Sequence, residues 1–223
     1  MQFTGKNILV VGASGVLGSH LASQLAAAGA RVLGTATSNE SAVRMPDAVA
    51  TRLLLDLASS ESIKTLADYL LATEKLDGIV LASGRVGFGR LDSTPAEGLR
   101  LITQVNYLGQ ADLVSRLMPV MQPESFLAAI TGVVAERNFP GMAAYCASKT
   151  ALSTWLAAAG SEFRRAGVQI IEARPGHTET GLATRPLFGE APNMPTGMTP
   201  EHVTSKIVDA IAARTPLLAS TDF

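Results

Sequence analysis

Short apolar runs alternate along the chain with longer segments of helical periodicity. The runs are continuous in hydrophobicity, which is typical of strands buried on both faces of a parallel sheet. Six of them cover residues 7–11, 31–35, 52–55, 77–83, 125–131 and 168–173. Helical patterns occupy residues 15–28, 62–73, 99–121, 143–165 and 200–214. This order predicts a single α/β domain over residues 1–223, with a doubly wound, mostly parallel sheet and helices on both of its faces.

Composition and charge narrow the class of protein. The 223 residues are 47% hydrophobic and 17% charged, which favours a packed globule over a disordered chain. Lys and Arg number 18 against 19 Asp and Glu, so we expect no nucleic-acid surface. The single cysteine, Cys146, excludes an intrachain disulfide. With no signal-peptide pattern and no apolar stretch of about 18 residues, we expect a cytoplasmic protein that does not bind membranes.

A glycine-rich loop follows the first predicted strand and opens the first predicted helix. Gly12 allows a tight turn, Gly15 lets the backbone approach a pyrophosphate, and Gly18 lets helix and strand pack closely. The helix N-terminus then faces the phosphates with free N–H groups. An ordinary glycine turn is the alternative interpretation, but the strand–turn–helix context favours dinucleotide binding. The predicted cofactor contacts in this loop are Gly12, Ser14, Gly15, Val16, Leu17 and Gly18.

The end of the second predicted strand indicates which dinucleotide is bound. A carboxylate there would hold a ribose 2′-hydroxyl and repel a 2′-phosphate. Residues 34–39 contain no carboxylate and offer Thr37 and Ser38 as hydrogen-bond donors. We therefore expect NADP(H) to be preferred, with NAD(H) as the alternative.

Tyr145 and Lys149 place a phenol and an ammonium four residues apart near the start of a predicted helix. Residues at this spacing share a helix face. The ammonium should lower the pKa of the phenol from about 10, so that the tyrosine exchanges a proton with an alcohol or ketone near neutral pH. Taken alone, such a pair is usually just one face of a helix.

The motifs together are much more specific than any one of them. The glycine loop, Asn106 in a Val-Asn-Tyr-Leu-Gly segment, Tyr145-x-x-x-Lys149 and the Arg-Pro-Gly-His-Thr-Glu-Thr segment at 174–180 occur in this order. The chain resembles the short-chain dehydrogenase/reductase family from about residue 5 to residue 215. The resemblance implies a Rossmann-like fold and NAD(P)-dependent oxidoreductase activity, but it does not name a substrate. No cluster of residues has metal-ligand spacing, so we expect no metal.

The resemblance also implies roles for individual residues. Tyr145 would be the general acid/base, and Lys149 would lower its pKa and bind the nicotinamide ribose. Asn106 would kink its helix and hold a water in a proton relay. The remaining cofactor contacts that the resemblance implies are Asp56, Leu57, Ala82, Ser83, Gly84, Pro175, Gly176, Thr178 and Thr180.

One position departs from the family pattern. The family's catalytic serine lies about thirteen residues before the tyrosine, where this chain has Gly132 preceded by Thr131. A threonine hydroxyl can donate the same hydrogen bond to a carbonyl oxygen, so we expect Thr131 to fill that role. The alternative is a strand-end threonine that bonds only to the backbone, which would leave a site that binds cofactor but turns over slowly.

The leading hypothesis is an oxidoreductase that transfers a hydride between NADP(H) and a carbonyl or secondary-alcohol substrate. The alternatives are a dinucleotide-binding sensor or interaction module with little catalysis and, ranked last, a non-redox lyase or isomerase. The Gly-, Pro-, Thr- and Met-rich segment 181–199 is the expected substrate loop. The resemblance implies a homodimer or homotetramer formed through the helix that carries Tyr145 and the one that follows Asn106.

Overall fold

A computed structural model describes residues 1–223 and confirms the predicted sheet. All six expected strands form, and a short seventh strand follows them. The strands are β1 (Asn7–Val11), β2 (Arg31–Ala36), β3 (Thr51–Leu54), β4 (Leu76–Leu81), β5 (Met121–Ile130), β6 (Gln169–Ala173) and β7 (Leu217–Leu218). Every pairing is parallel, in the order β3-β2-β1-β4-β5-β6-β7. The order reverses between β1 and β4, and ligands bind at such a switch point in open α/β sheets.

Seven α-helices cover the two faces of the sheet. They are α1 (Val16–Ala27), α2 (Asn39–Ala42), α3 (Ser60–Thr73), α4 (Ala96–Thr103), α5 (Gly109–Leu117), α6 (Ala143–Arg165) and α7 (Pro200–Ala213). The segment expected as one helix over 99–121 is divided by a π-helical turn, Gln104–Leu108, that joins α4 to α5. Pro119 prevents α5 from continuing, and β5 begins directly after a short 3₁₀ turn, Met118–Val120.

Two apolar cores follow from the alternation of side chains along each strand. On one face, Leu127 and Ala129 of β5 pack with α3, α5 and α6. On the other face, Ala128 of β5 packs with α1 and α7. The sheet is therefore buried on both sides, as its continuous apolar runs predict. No helix is both long enough and apolar enough to cross a membrane.

The outer side of α6 carries an apolar groove of about 790 Å³. Small residues on the helix, including Ala147 and Ala151, line it together with Trp155 and with Tyr107 from the π-helical turn. The oligomer expected through this helix stays a prediction.

Two helical glycines give a matched test of the packing. A Cβ at Gly109, at the start of α5, would overlap the backbone carbonyl of Leu57, whereas one at Gly160 on α6 would lie 3.8 Å from the flexible Arg164 guanidinium. We expect Gly109→Ala to lower the free energy of unfolding by about 1–3 kcal/mol through overpacking. Gly160→Ala should raise it by about 0.5–1 kcal/mol because alanine is the better helix former. Urea unfolding measures both, and equal effects would contradict the predicted contact with Leu57.

Candidate active site

The glycine loop turns sharply from β1 into α1. Gly12 follows β1 with φ 87°, a conformation that favours glycine, and its N–H donates to Thr35 Oγ1 over 3.0 Å. The Gly15 N–H donates to the Gly12 carbonyl over 3.0 Å, which closes the turn. A Cβ at Gly18 would overlap that same carbonyl, so the first turn of α1 lies directly against the loop. The three glycines therefore occupy positions that suit the phosphate loop predicted from the sequence.

The N-terminus of α1 is open to a ligand. Its N-cap residue, Gly15, makes no side-chain capping bond, and the first turn contains no acidic residue. The first N–H groups of a helix have no partner within the helix, and they carry the positive end of its dipole. These features suit a pyrophosphate.

The segment after β2 presents hydroxyl groups and no carboxylate. Thr37 is exposed, and Ser38 caps the short helix α2 in a reciprocal capping box with Ser41. Arg52 is committed to backbone carbonyls after α2 and to Asp47, whereas Arg44 is exposed and makes no ion pair. The segment therefore presents hydroxyl groups, and the exposed Arg44 follows it in the chain.

The residues after β3 are ordered by local hydrogen bonds. Asp56 Oδ1 accepts the Ala58 N–H over 2.9 Å, and the Asp56 N–H donates to Ser62 Oγ over 2.9 Å. Leu57 is buried, and its carbonyl accepts Gln104 Nε2 over 3.2 Å. Asp56 and Leu57 thus follow a strand at the same carboxyl edge of the sheet as the glycine loop.

The residues after β4 connect the glycine loop to Lys149. The Ala82 N–H donates to the Val11 carbonyl over 3.0 Å, and the Ser83 hydroxyl packs closely against Gly12. A Cβ at Gly84 would lie 3.4 Å from Lys149 Nζ, so glycine keeps the backbone close to the ammonium.

Asn106 is fully buried in the π-helical turn and fixes the loop after β4. Its Oδ1 accepts the Arg85 N–H over 2.7 Å, and its Nδ2 donates to the Arg85 carbonyl over 2.8 Å and to Ser148 Oγ over 3.0 Å. The π-helical turn distorts the helix at Asn106, where the family resemblance implies a kink. Asn106 joins the loop to α6, one residue before Lys149.

A cavity of about 1210 Å³ opens at the carboxyl ends of β5 and β6. The cavity brings together predicted residues on α6 and predicted residues after β6. The predicted residues that line it are Leu17, Thr131, Tyr145, Lys149, Pro175, Gly176, Thr178 and Thr180. Thr37, Ser38, Asp56 and Leu57 lie outside it, after β2 and β3. The other predicted residues that do not line it are Gly12, Ser14, Gly15, Val16, Gly18, Ala82, Ser83, Gly84 and Asn106.

Burial opposes the lowering of the Tyr145 pKa by Lys149, which stays a prediction. Burial raises the pKa of Tyr145 to about 12, and the neighbouring Cys146 adds to the rise. Lys149 is 4% exposed, and burial lowers its own pKa to about 8. Its Nζ donates to the Ile130 carbonyl over 2.8 Å. The spacing of the two residues indicates the attraction between them, but it does not show the cost of burying them.

The structure does not support the prediction that Thr131 fills the role of the catalytic serine, because the hydroxyl has another partner. Its hydroxyl is buried and donates to Glu172 Oε1 over 2.6 Å, with the Ala173 carbonyl 3.4 Å away. Alternation along β5 places Thr131 on the same face as Ala129, under α6, and a buried carboxylate is the strongest acceptor there. The next residue, Gly132, has no side chain to offer.

Sequence reasoning missed the polar residues behind the cavity. Arg174 binds Glu172 through two bonds of 2.9 and 3.0 Å and donates to Ser153 Oγ over 3.0 Å. Burial pulls the pKa of Glu172 upward, but hydrogen bonds from Arg174, Thr131 and Ser153 outweigh it and hold this pKa below its usual range. The available signal was the acidic residue inside the apolar run at 168–173.

The expected substrate loop, residues 181–199, is held at its base and at its middle. At the base, Thr178 pairs with Met198 in a β-bridge. In the middle, the Leu187 N–H donates to the Val86 carbonyl over 2.8 Å, and Phe188 packs against Gly87 and Gly98. The segment therefore crosses the mouth of the cavity and lines it.

The chain is similar to proteins of known family and fold. A family model described as short chain dehydrogenase matches residues 6–187. An uncharacterized oxidoreductase of Escherichia coli, YbbO, is 31% identical over 179 residues, which are 78% of this chain and 66% of that protein. The chain thus spans about two thirds of that relative's length.

Two solved structures share the fold. A short chain dehydrogenase/reductase from Burkholderia phymatum in complex with NAD has a TM-score of 0.86 at 21% identity, covering 99% of this chain and 90% of that one. A short chain dehydrogenase from Burkholderia cenocepacia in complex with NADP has a TM-score of 0.84 at 22% identity, covering 99% and 98%.

The buried ammonium predicts a pH-dependent stability. Burial lowers the pKa of Lys149 from 10.5 to about 8. At about 1.4 kcal/mol per pKa unit, burying the charged form costs about 3 kcal/mol of the free energy of unfolding. As the pH rises, the folded protein loses this proton before the unfolded chain does. The free energy of unfolding of the wild type therefore increases between about pH 8 and pH 10.5. We expect the stability of Lys149→Met relative to wild type to fall by about 2–3 kcal/mol from pH 7 to pH 10.5.

Urea unfolding at several pH values measures this difference. Lys206→Met, on the exposed side of α7, is the control and should change stability by less than about 0.5 kcal/mol. A stability difference for Lys149→Met that stays constant across the range would contradict the burial argument.

Proposed function

The chain belongs to the short-chain dehydrogenase/reductase family, and we propose that it transfers a hydride between NADP(H) and a carbonyl or secondary-alcohol substrate. One observation carries the proposal. Tyr145 and Lys149 lie one helical turn apart on α6, and both line the same cavity at the edge of the sheet where the phosphate loop lies. This arrangement supports the proposal, because it would hold a proton donor and a cation beside a bound dinucleotide.

The residues present fit a nicotinamide dinucleotide. The uncapped N-terminus of α1 would bind the pyrophosphate, and the glycines at 12 and 18 let the loop pack closely against Ser83 and α1. Gly84 keeps the wall beside Lys149 open, so the ammonium would reach the ribose. When bound, the nicotinamide supplies the hydride chemistry, and the protein supplies position and electrostatics.

The protonation states of Tyr145 and Lys149 favour carbonyl reduction. With its pKa raised to about 12, Tyr145 holds its proton at neutral pH and would donate it from Oη to a substrate oxygen. With a pKa of about 8, Lys149 is roughly nine-tenths charged at pH 7 and would stabilise the phenolate that remains. Reduction consumes a protonated tyrosine, which is the form that this cleft favours.

A second candidate function is a dinucleotide-binding module with little turnover. The observation that favours it is the missing hydroxyl at the end of β5. Thr131 is committed to Glu172, and Gly132 has no side chain. Tyr145 would then polarise the substrate oxygen without the second donor that the family pattern supplies.

We expect Tyr145→Phe to lose turnover while keeping cofactor affinity, because only the hydroxyl is removed. General acid catalysis contributes about 10²–10⁴-fold, which sets the expected loss in kcat. NADPH oxidation with a panel of ketones and aldehydes measures turnover, and quenching of cofactor fluorescence measures binding. Tyr107→Phe, outside the cavity, is the control and should change neither.

Two outcomes of these measurements contradict the proposal. Undiminished turnover in Tyr145→Phe would remove this phenol from the mechanism. Wild-type protein that binds NADPH but oxidises it with no member of the panel would favour the binding module.

For the cofactor, we expect wild-type protein to bind NADPH more tightly than NADH. Thr37→Asp places a carboxylate at the end of β2, where it would repel a 2′-phosphate. One such repulsion is about 1–4 kcal/mol, so the Kd for NADPH should rise about 5-fold or more while that for NADH does not rise. Thr37→Asn, neutral and similar in size, is the matched control. Tighter binding of NADH by the wild type would refute the assignment.

A further inference from the structure

A chain of polar side chains runs beneath the cavity from β5 to α6. Thr131 Oγ1 donates to Glu172 over 2.6 Å, and Arg174 binds the same carboxylate through two bonds. Arg174 then donates to Ser153 Oγ on α6 over 3.0 Å. We call these four residues, Thr131, Glu172, Arg174 and Ser153, the brace.

Burying the charged residues of the brace costs more free energy than burying apolar side chains at the same place would. Glu172 is 7% exposed and lies in a strand whose other residues are mostly apolar. Burying an ion pair carries a desolvation penalty, and replacing such a pair with well-packed apolar residues is often neutral or stabilising. Stability alone therefore does not account for these charges, whereas a fixed geometry does.

Both ends of the brace lie next to Lys149. At one end, Thr131 shares a peptide group with Ile130, whose carbonyl accepts Lys149 Nζ over 2.8 Å. The N–H of that peptide donates to the Ala173 carbonyl over 3.0 Å, so its plane is held from β6. At the other end, Ser153 lies four residues after Lys149 and eight after Tyr145, on the same face of α6.

We propose that the brace positions the Lys149 ammonium against the Ile130 carbonyl and, through α6, positions Tyr145 in the cavity. The Thr131 hydroxyl fixes the peptide that carries the acceptor, and Ser153 fixes the helix that carries the donor. Thr131 and Glu172 are thus positioning residues that act through Lys149 and α6. The catalytic consequence rests on the proposed function, but the effect on Lys149 does not.

The test compares Thr131→Val with Thr131→Ser. Valine keeps the shape of threonine and removes the hydrogen bond, whereas serine keeps the hydroxyl. The first readout needs no activity: in protein with ¹³C-labelled lysine, the Cε signal of Lys149 is one of five and is identified by its loss in Lys149→Arg. We expect this signal to move in Thr131→Val and to stay at its wild-type position in Thr131→Ser.

The second readout is steady-state kinetics with NADPH. We expect kcat to fall about tenfold in Thr131→Val, within the range of about 10²-fold that a 1 Å misplacement can cost, and to recover in Thr131→Ser. The KM for the substrate should change little, because the Thr131 hydroxyl is bonded to Glu172 and is not available to the substrate. If Thr131→Val does not fold, Ser153→Ala breaks the opposite end, and Ser153→Thr is its control.

The outcomes separate the two proposals. A Lys149 signal that is unchanged in Thr131→Val or Ser153→Ala would overturn the brace, whatever the activity. A signal that moves as expected while the wild-type protein neither binds nor oxidises NADPH would support the brace and refute the proposed function.

Discussion

The site depends on one hydrogen bond, from Lys149 Nζ to the Ile130 carbonyl over 2.8 Å. The ammonium is nearly excluded from water, so this carbonyl replaces part of its lost hydration. The bond also fixes α6 against the end of β5, because its donor belongs to the helix and its acceptor to the strand. The position of Tyr145, one turn earlier on α6, follows from that contact.

In the cavity, burial determines the protonation of Tyr145 and Lys149. Both of its key groups have their neutral forms favoured: the phenol keeps its proton and the amine holds its own less tightly. Such opposed shifts in one cleft are characteristic of functional sites. The polar residues behind the cavity differ in this respect. Glu172 and Arg174 both stay charged, because each stabilises the charge of the other.

The sequence predicted the architecture well because its signals are local and repeated. The apolar runs and the glycine loop specify strands, turn and helix without reference to distant residues, and α6 occupies the predicted range 143–165. The short elements α2 and β7 have too few residues for a period to appear. The π-helical turn at Asn106 interrupts a pattern that reads as one continuous helix.

The side-chain chemistry was predicted less well because it depends on neighbours far away in the chain. The direction of the Thr131 hydroxyl is decided by Glu172, 41 residues later. Spacing from Tyr145 alone could not show that the hydroxyl has a stronger acceptor within the fold. The pKa of the phenol is likewise decided by how completely the surrounding elements exclude water, which no local pattern records.

Gly132 limits how this site can evolve. Its backbone has φ 91° and ψ 166°, a region that is essentially restricted to glycine and costs other residues about 1–3 kcal/mol. A Cβ there would meet no atom closer than 3.6 Å, so the obstacle is the conformation of the chain and not a lack of space. A single codon change to serine would therefore introduce strain along with the hydroxyl. A hydroxyl at this position therefore requires a change in the conformation of the peptide as well as a new side chain.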